Sequence, residues 1–142
     1  MHKRNRVMVF GVFDCFHAGH KSFLRQAKRH GKELVVVVAR NKMVHHIKKK
    51  GPYHSEHARL KFVKAFRGVA KAVLGDEKPD VYGVVKKYRP DVVCFGYDQH
   101  TFKKSFRTWL KKRKMKHPAL VTLKAHHPHR YKTSYVRPDG KI

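Results

Sequence analysis

Residues 34–39 form a continuous apolar run in which four consecutive positions are valine. A half-exposed strand alternates apolar and polar side chains, whereas an unbroken run is typical of a strand in a parallel sheet that helices cover on both faces. Four further apolar segments predict strands at residues 6–10, 69–74, 91–96 and 119–123. The sequence therefore favours a fold built on a buried parallel sheet.

Amphipathic segments separate these strands and predict helices, because their apolar residues recur three and four positions apart. One runs over residues 18–29, a second begins at Ser55, a suitable N-cap residue, and residues 44–50 predict a short helix or a loop. A third helix begins at Pro79, and a fourth carries an aromatic stripe. The apolar stripe of the third helix is Val81, Val84, Val85 and Tyr88. That of the fourth helix is Phe102, Phe106, Trp109 and Leu110. This alternation predicts one α/β domain over residues 1–142, a Rossmann-like, doubly wound, five-stranded parallel sheet.

The connection between the first strand and the first helix, residues 11–20, reads Gly-Val-Phe-Asp-Cys-Phe-His-Ala-Gly-His. His17 and His20 lie three positions apart and so share one helix face. Gly11 and Gly19 let the backbone come close to a ligand, and a helix start offers unpaired N–H donors and a positive dipole. In a chain with 13 histidines such a pair could arise by chance, but the strand–turn–helix context favours a site for nucleotide phosphates.

The pattern Gly-x-Phe-Asp-x-x-His-x-Gly-His resembles the signature of the cytidylyltransferase-like nucleotidyltransferases. Four further segments resemble the archaeal-type FAD synthetases of that family: Val-Ala-Arg-Asn-Lys at 38–42, Ser-Glu with Arg-Leu at 55–60, Arg-Pro-Asp-Val-Val with Gly-Tyr-Asp-Gln at 89–99, and Tyr-Lys-Thr-Ser at 131–134. Tyr-His-Ser at 53–55 with the histidine at 57 instead resembles the cytidylyltransferase helix start. The chain departs from the family pattern at Val12, Ala18, Asn41 and Ala70, where Thr, Pro, Asp and Asp are usual.

The resemblance implies a nucleotidyltransferase that moves AMP from ATP to FMN, giving FAD and pyrophosphate. One alternative is a CTP-dependent cytidylyltransferase acting on glycerol 3-phosphate or a similar small phosphate. Another is a non-catalytic domain that binds nucleotides or nucleic acid. In-line attack of a phosphate oxygen on phosphorus needs no covalent nucleophile, only positioning and charge neutralisation.

By the same resemblance, His17 and His20 stabilise the pentacoordinate phosphorus and the departing pyrophosphate. Lys42 and Arg59 contact phosphates, although a capping or salt-bridge role for Arg59 is an alternative. The lysines at 48–50 could bind phosphate or could equally be part of the solvated surface. The nucleotide-binding candidates are Val9, Phe10, Gly11, Val12, Phe13, Asp14, Gly19, Gly96, Asp98, Gln99, Tyr131, Thr133 and Ser134.

Several of these candidates have a more specific expected role. Thr133 and Ser134 would hold the β- and γ-phosphates, Asp98 and Gln99 would line the base pocket, and Asp14 would support the base of the site. Mg²⁺ would be carried mainly by the substrate phosphates. No protein-held metal is expected, because the histidines at 45–46 and at 126, 127 and 129 lack completing Cys or carboxylate ligands.

Thirty-five Lys and Arg against nine Asp and Glu give a formal charge of +26. Such a field attracts anions and promotes non-specific nucleic-acid binding. The lysines are spread along every predicted helix without an aromatic RNA-binding motif, which favours a solvated basic surface. A homodimer is left open, since relatives of this fold often dimerise while the charge opposes self-association.

Two cysteines, Cys15 and Cys94, fit a reducing compartment better than a disulfide framework. No apolar run approaches the ~20 residues that a membrane span needs, and the apolar stretch after the basic N-terminus is too short for a signal peptide. These features predict a cytoplasmic protein without membrane association.

Overall fold

The computed structural model describes residues 5–48, 51–78 and 81–124. In this part of the chain, five strands form one all-parallel sheet. They are β1 (Arg6–Gly11), β2 (Glu33–Val38), β3 (Lys71–Leu74), β4 (Val92–Phe95) and β5 (Ala119–Thr122). Their order in the sheet is β3-β2-β1-β4-β5, which confirms the predicted doubly wound α/β class.

Five helices accompany the sheet within the described ranges, namely α1 (Ala18–Lys28), α2 (Asn41–Lys48), α3 (Glu56–Ala65), α4 (Gly83–Tyr88) and α5 (His100–Lys112). The unbroken apolar run of β2 is explained by two hydrophobic clusters, one on each face of the sheet. Val36 and Val38 join Leu24 of α1 and Val63 of α3 in one cluster. Val35 and Val37 join the second cluster, with Val85, Phe106 and Trp109 from α4 and α5. Successive side chains of β2 thus enter opposite layers, and neither face is left to solvent.

The central strand β1 pairs with β2 on one side and with β4 on the other. From β1 the chain adds β2 and β3 on one side of the sheet and then β4 and β5 on the other. The direction in which strands are added therefore reverses at β1, and this is the switch point of the sheet. In open α/β sheets, ligands bind in the crevice that such a reversal leaves at the carboxyl ends of the strands. The motif that follows β1 and the Gly-Tyr-Asp-Gln segment that follows β4 both lie at this edge.

The predicted helix from Pro79 is wrong at its start. Helix α4 begins at Gly83, and Val81, which was expected in the apolar stripe, lies before the helix and is 44% exposed. Asp76 lies at this boundary, where its carboxylate accepts a hydrogen bond from the backbone N–H of Val84 at 3.4 Å. Gly83 permits this approach, because a Cβ there would lie 2.8 Å from Asp76 Oδ1.

Helix α2 begins at Asn41, three residues before the segment expected to form a short helix or loop. No helix among the described residues is long and apolar enough to cross a membrane. The single-domain organisation, the cytoplasmic location and a homodimer stay predictions.

Candidate active site

The β1–α1 connection turns sharply and is buried at its centre, from Phe13 to Cys15. Phe13 and Cys15 both have positive φ angles, of 56° and 53°, which non-glycine residues adopt at some cost in energy. The Phe13 ring folds back over β1, so a Cβ on Gly11 would lie only 2.7 Å from two of its ring carbons. Glycine is needed at position 11 for this reason, and the turn brings the following residues to the start of α1.

His17 and His20 cap α1 reciprocally. His17 is the N-cap residue, and its Nδ1 accepts a hydrogen bond from the backbone N–H of Gly19 at 3.1 Å. Nδ1 of His20 accepts from the backbone N–H of His17 at 3.2 Å. An imidazole nitrogen that accepts a hydrogen bond carries no proton, so each neutral ring holds its proton on Nε2. The first turn of α1 therefore presents two imidazoles of defined tautomer, each with one N–H donor.

Ring contacts fix the orientation of the pair. The His17 and His20 rings stack with centroids 3.8 Å apart, and the His20 ring is also near-parallel to that of Phe16, with centroids 5.8 Å apart. Burial lowers the pKa of His17 from 6.5 to about 4, because the charged form loses solvation. His17 is therefore neutral near pH 7, as its role as a hydrogen-bond acceptor in the cap requires.

Asp14 holds the segment before α3 against this loop. Its carboxylate is 4% exposed and accepts hydrogen bonds from the backbone N–H groups of Tyr53, at 2.7 Å, and His54, at 3.0 Å. Ser55 then caps α3 by accepting from the N–H of Ala58, which confirms the predicted N-cap. Asp14 thus joins two chain segments, and its expected supporting role at the base of a nucleotide site stays a prediction.

The guanidinium of Arg59 is fully buried beneath the loop. It donates to the carbonyls of His54, at 3.1 Å, and Val12, at 2.8 Å, and to Oδ1 of Asn41 at 2.9 Å. Burial lowers the pKa of Arg59, while the charges of Asp14 and Glu56 act in the opposite direction. Arg59 thereby ties α3 to the loop after β1 and to the start of α2. Its predicted contact with a phosphate stays a prediction.

Asn41 stands where aspartate is usual in the family pattern, and its side chain still supplies an acceptor to Arg59. Its backbone N–H donates to Oε1 of Glu56 at 2.8 Å, and the same carboxylate lies 3.6 Å from Arg40. The replacement of Asp by Asn thus keeps the hydrogen bond while removing one negative charge beside Arg59. Lys42, a predicted phosphate ligand, is exposed on α2 near these contacts.

Gln99 joins the two strands at the switch point. Its Oε1 accepts from the N–H of Gly96 at 2.8 Å, and its Nε2 donates to the carbonyl of Phe10 at 2.8 Å. Both polar ends of the amide are therefore engaged with the backbone. Asp98 is exposed beside them, whereas Val9 is fully buried in the core. The structure brings these predicted nucleotide-binding residues to one edge of the sheet.

A cavity of about 320 Å³ opens next to Gln99. One wall comes from the segment after β4, and the other walls come from α5 and the end of β5. Its lining residues are Gly96, Tyr97, Gln99, His100, Lys103, Lys104, Arg107 and Thr122. The three cationic residues of α5 were not among the predicted site residues. Their spacing, with Arg107 three and four positions after the two lysines, was the available signal, since it places them on one helix face directly after a strand-end motif.

The remaining predicted residues fall outside the residues that the structure describes. They are Tyr131, Thr133 and Ser134, which were expected to hold the β- and γ-phosphates. The side chains of the lysines at 48–50 and the histidines at 126, 127 and 129 likewise lie outside it. The other two histidines of the metal hypothesis, His45 and His46, are exposed on α2.

The fold, the switch-point site and the histidine pair define a nucleotidyltransferase-type α/β protein, and comparison with known proteins gives its family. The cytidylyltransferase-like family model matches residues 8–138, so the chain belongs to this family. Among curated relatives, the FAD synthase of Archaeoglobus profundus is 44% identical over 108 residues, covering 76% of this chain and 68% of the relative. That of Aciduliprofundum boonei is 45% identical over 111 residues, covering 78% and 73%. The predicted likeness to archaeal FAD synthetases is confirmed.

Solved structures agree on the fold. A lipopolysaccharide core biosynthesis protein from Thermoplasma volcanium superposes with a TM-score of 0.77 and 33% identity, covering 87% of this chain and 98% of that one. A pantoate-beta-alanine ligase from Francisella tularensis superposes with a TM-score of 0.62 at 9% identity, covering 89% and 61%. The second likeness concerns the fold alone.

Proposed function

We propose that the protein is an FMN adenylyltransferase, which transfers AMP from ATP to FMN and releases pyrophosphate. The observation that carries the proposal is the 43–45% identity to FAD synthases over about three quarters of the chain. It is supported by the histidine pair that caps α1 at the switch point, where a nucleotide phosphate would meet both imidazoles and the helix dipole.

The reaction is an in-line displacement. A phosphate oxygen of FMN forms a bond to the α-phosphorus of ATP while the bond from that phosphorus to the pyrophosphate oxygen breaks. His17 and His20 act as hydrogen-bond donors through Nε2, so they stabilise negative charge on the phosphoryl oxygens. The stacked rings and the reciprocal caps hold both donors in place before substrate binds, which removes the cost of ordering them in the transition state.

The basic cavity beside Gln99 supplies a second subsite. Its Lys104 and Arg107 are exposed cations on one face of α5, and such a cavity favours a phosphorylated ligand over a neutral one. A volume of about 320 Å³ is at the lower end for small-molecule sites. We assign it to the anionic part of one of the two substrates.

Mg²⁺ enters with the triphosphate in this proposal. Mg²⁺ prefers six oxygen ligands in octahedral geometry and keeps several of its waters. Asp14 supplies one buried carboxylate to the site. The donors nearest to it are a thiol and an imidazole, which do not suit Mg²⁺. The residues therefore fit a cation carried by the substrate phosphates.

The test is pyrophosphate release, measured with ATP or CTP as donor and with FMN, glycerol 3-phosphate or no acceptor. Release that requires ATP and FMN together, with FAD identified by chromatography, is the expected result. Release with CTP and glycerol 3-phosphate would instead assign the alternative cytidylyltransferase activity. No release in any combination, from protein shown to be folded, would refute an enzymatic function and leave a binding domain.

A further inference from the structure

Three side chains of different chemistry converge beside the β1–α1 loop. The ligand atoms of Asp14, Cys15 and His54 all lie within 4.8 Å of one another. Asp14 and Cys15 are 4% and 8% exposed, and His54 is half-buried. The displacement reaction proposed above uses neither the thiol nor the His54 imidazole.

Backbone contacts, rather than flexible side chains, bring the three residues together. The Asp14 carboxylate binds the N–H groups of Tyr53 and His54. The His54 carbonyl in turn accepts from Nε of the buried Arg59. Cys15 follows Asp14 directly and turns at a φ of 53°. The edge of the Phe62 ring also contacts the His54 imidazole, with centroids 5.2 Å apart.

We propose that Asp14, Cys15 and His54 form a binding site for one thiophilic divalent cation of the Zn²⁺ class. Carboxylate oxygen, thiolate sulfur and imidazole nitrogen are the three donor types that Zn²⁺ uses in proteins, and three protein ligands leave a fourth position for water. With bonds of about 2.0–2.3 Å, the ligand atoms must approach one another by up to roughly 1 Å. His54 is the half-buried member of the set and therefore has the most room to make this movement.

The hydrogen bonds already made by Asp14 do not prevent coordination. A carboxylate has about four lone-pair positions, so an oxygen that accepts one N–H can still bind a cation. On binding, the Cys15 thiol releases its proton to solvent as the sulfur–metal bond forms. The divalent charge is then offset by the thiolate, and the site gains one positive charge rather than two. This matters beside Arg59, whose charge opposes the cation.

The thiol decides the kind of metal. A site with only Asp14 and His54 would discriminate poorly among cations, whereas a thiolate selects Zn²⁺ and related soft ions over Mg²⁺. The exposed histidines on α2 are a competing set without sulfur. Metal–sulfur bonding therefore separates the proposed site from adventitious binding to histidine.

Co²⁺ is the probe for the test, because a thiolate–Co²⁺ bond gives a charge-transfer absorption in the near ultraviolet that imidazole ligands do not give. The full chain, reduced and freed of metal with a chelator, is titrated with Co²⁺. The expected result is one equivalent with this absorption, which Zn²⁺ then abolishes by displacement. Loss of the absorption in Cys15→Ser, and at least 10-fold weaker Co²⁺ binding in His54→Gln, would identify the ligands.

Matched variants control for each change. Cys94→Ser removes the other buried thiol, and His57→Gln removes a neighbouring imidazole whose side chain is 79% exposed. Both should keep the absorption and the affinity. An absorption that survives in Cys15→Ser, or that fails equally in Cys94→Ser, would overturn the proposal.

A measurement on the unaltered protein guards against variants that fail to fold. X-ray absorption at the zinc edge, on protein loaded with one equivalent of Zn²⁺, should show one sulfur neighbour at about 2.3 Å. A first shell of nitrogen and oxygen alone would refute the site. Neither readout depends on turnover, so failure of this inference and failure of the proposed enzymatic function are separable.

Discussion

The rings of His17 and His20 stack at 3.8 Å while the two residues cap the same helix from both directions. The backbone N–H of His17 binds Nδ1 of His20, and Nδ1 of His17 binds the next available N–H of the helix, that of Gly19. One pair of side chains thus begins α1 and also supplies two oriented donors at the switch point of the sheet. The helix-capping role and the donor role can be separated by substitutions that keep the cap and remove the Nε2 donor.

His17→Asn is the substitution that makes this separation. Asparagine is a favoured N-cap residue, so the helix should begin as before and the midpoint of thermal unfolding should stay within a few degrees. The Nε2 donor is lost, and removing one preorganised donor of this kind lowers kcat by about 10²–10³-fold. Steady-state FAD formation measures the loss, and circular dichroism measures the melting.

His17→Ala provides the comparison, since it removes both roles. It should lose as much activity as His17→Asn and, in addition, about 1 kcal/mol of stability through the missing cap. If His17→Asn retained most of the activity, the imidazole would be a helix cap and not a catalytic group.

The low pKa of His17 predicts how stability depends on pH. The pKa is lowered from 6.5 to about 4 in the folded protein, so between these values the unfolded chain binds more protons at this residue than the folded one. Stability attributable to His17 is therefore fully present above pH 6.5 and falls as the pH decreases toward 4. Urea unfolding at several pH values, in the presence of EDTA, measures the slope.

The matched variant for this prediction is again His17→Asn, which cannot titrate. The unfolding free energy of the unsubstituted protein, relative to that of His17→Asn, should fall steadily as the pH is lowered from 6.5 to 4, so the unsubstituted protein should become the less stable of the two. A difference that stays constant over this range would show that the His17 pKa is not lowered by folding.

Arg59 is expected to contribute mainly to stability. In Arg59→Met the side-chain volume is roughly kept, but Asp14 loses the nearby positive charge and three acceptors lose their donor. Removing one partner from a buried ionic cluster costs about 3–5 kcal/mol, which urea unfolding should show. Arg67→Met, at an exposed position, should change stability by no more than about 0.5 kcal/mol. If both variants changed the free energy of unfolding equally little, the hydrogen bonds of Arg59 would not stabilise the fold.

The confirmed predictions rest on patterns within short stretches of the sequence. The apolar run of β2 indicated a two-sided sheet because its alternate side chains enter separate hydrophobic clusters. The three-residue spacing of His17 and His20 placed both on the first turn of α1, and Ser55 was recognised as a cap from the residues that follow it. In each case the informative pattern lies within a few consecutive residues, although the clusters that bury β2 are completed by distant helices.

The features that could not be predicted depend on contacts between segments that are distant along the chain. The burial of Arg59 depends on Val12 and Asn41, which lie 47 and 18 positions away, and no periodicity reports such contacts. At the start of α4, the N–H of Val84 donates to Asp76, eight residues earlier in the chain. The joining of Asp14 to His54 spans 40 positions, so no local pattern indicates that Cys15 has an imidazole beside it.

The basic cavity offers the remaining prediction. Lys104→Gln combined with Arg107→Gln removes two cations that line it without touching the core face of α5. The KM for the substrate that occupies the cavity should rise about 10-fold, equivalent to about 1.4 kcal/mol, with kcat changed less than about 2-fold because the reacting groups lie on the other side of the switch point. Varying ATP and FMN separately identifies which substrate is affected.

The control must remove the same charge from the same helix. Lys111→Gln with Lys112→Gln does so at exposed positions about 10 Å further along α5, beyond the screening length of about 8 Å at physiological salt. The measurement is made at 0.15 M salt, where the screening length is about 8 Å. If the cavity is a specific subsite, the substitutions at Lys111 and Lys112 leave the KM values for ATP and for FMN unchanged. If both pairs raise KM alike, the +26 charge of the chain attracts substrate only as a diffuse field, and the cavity has no specific role.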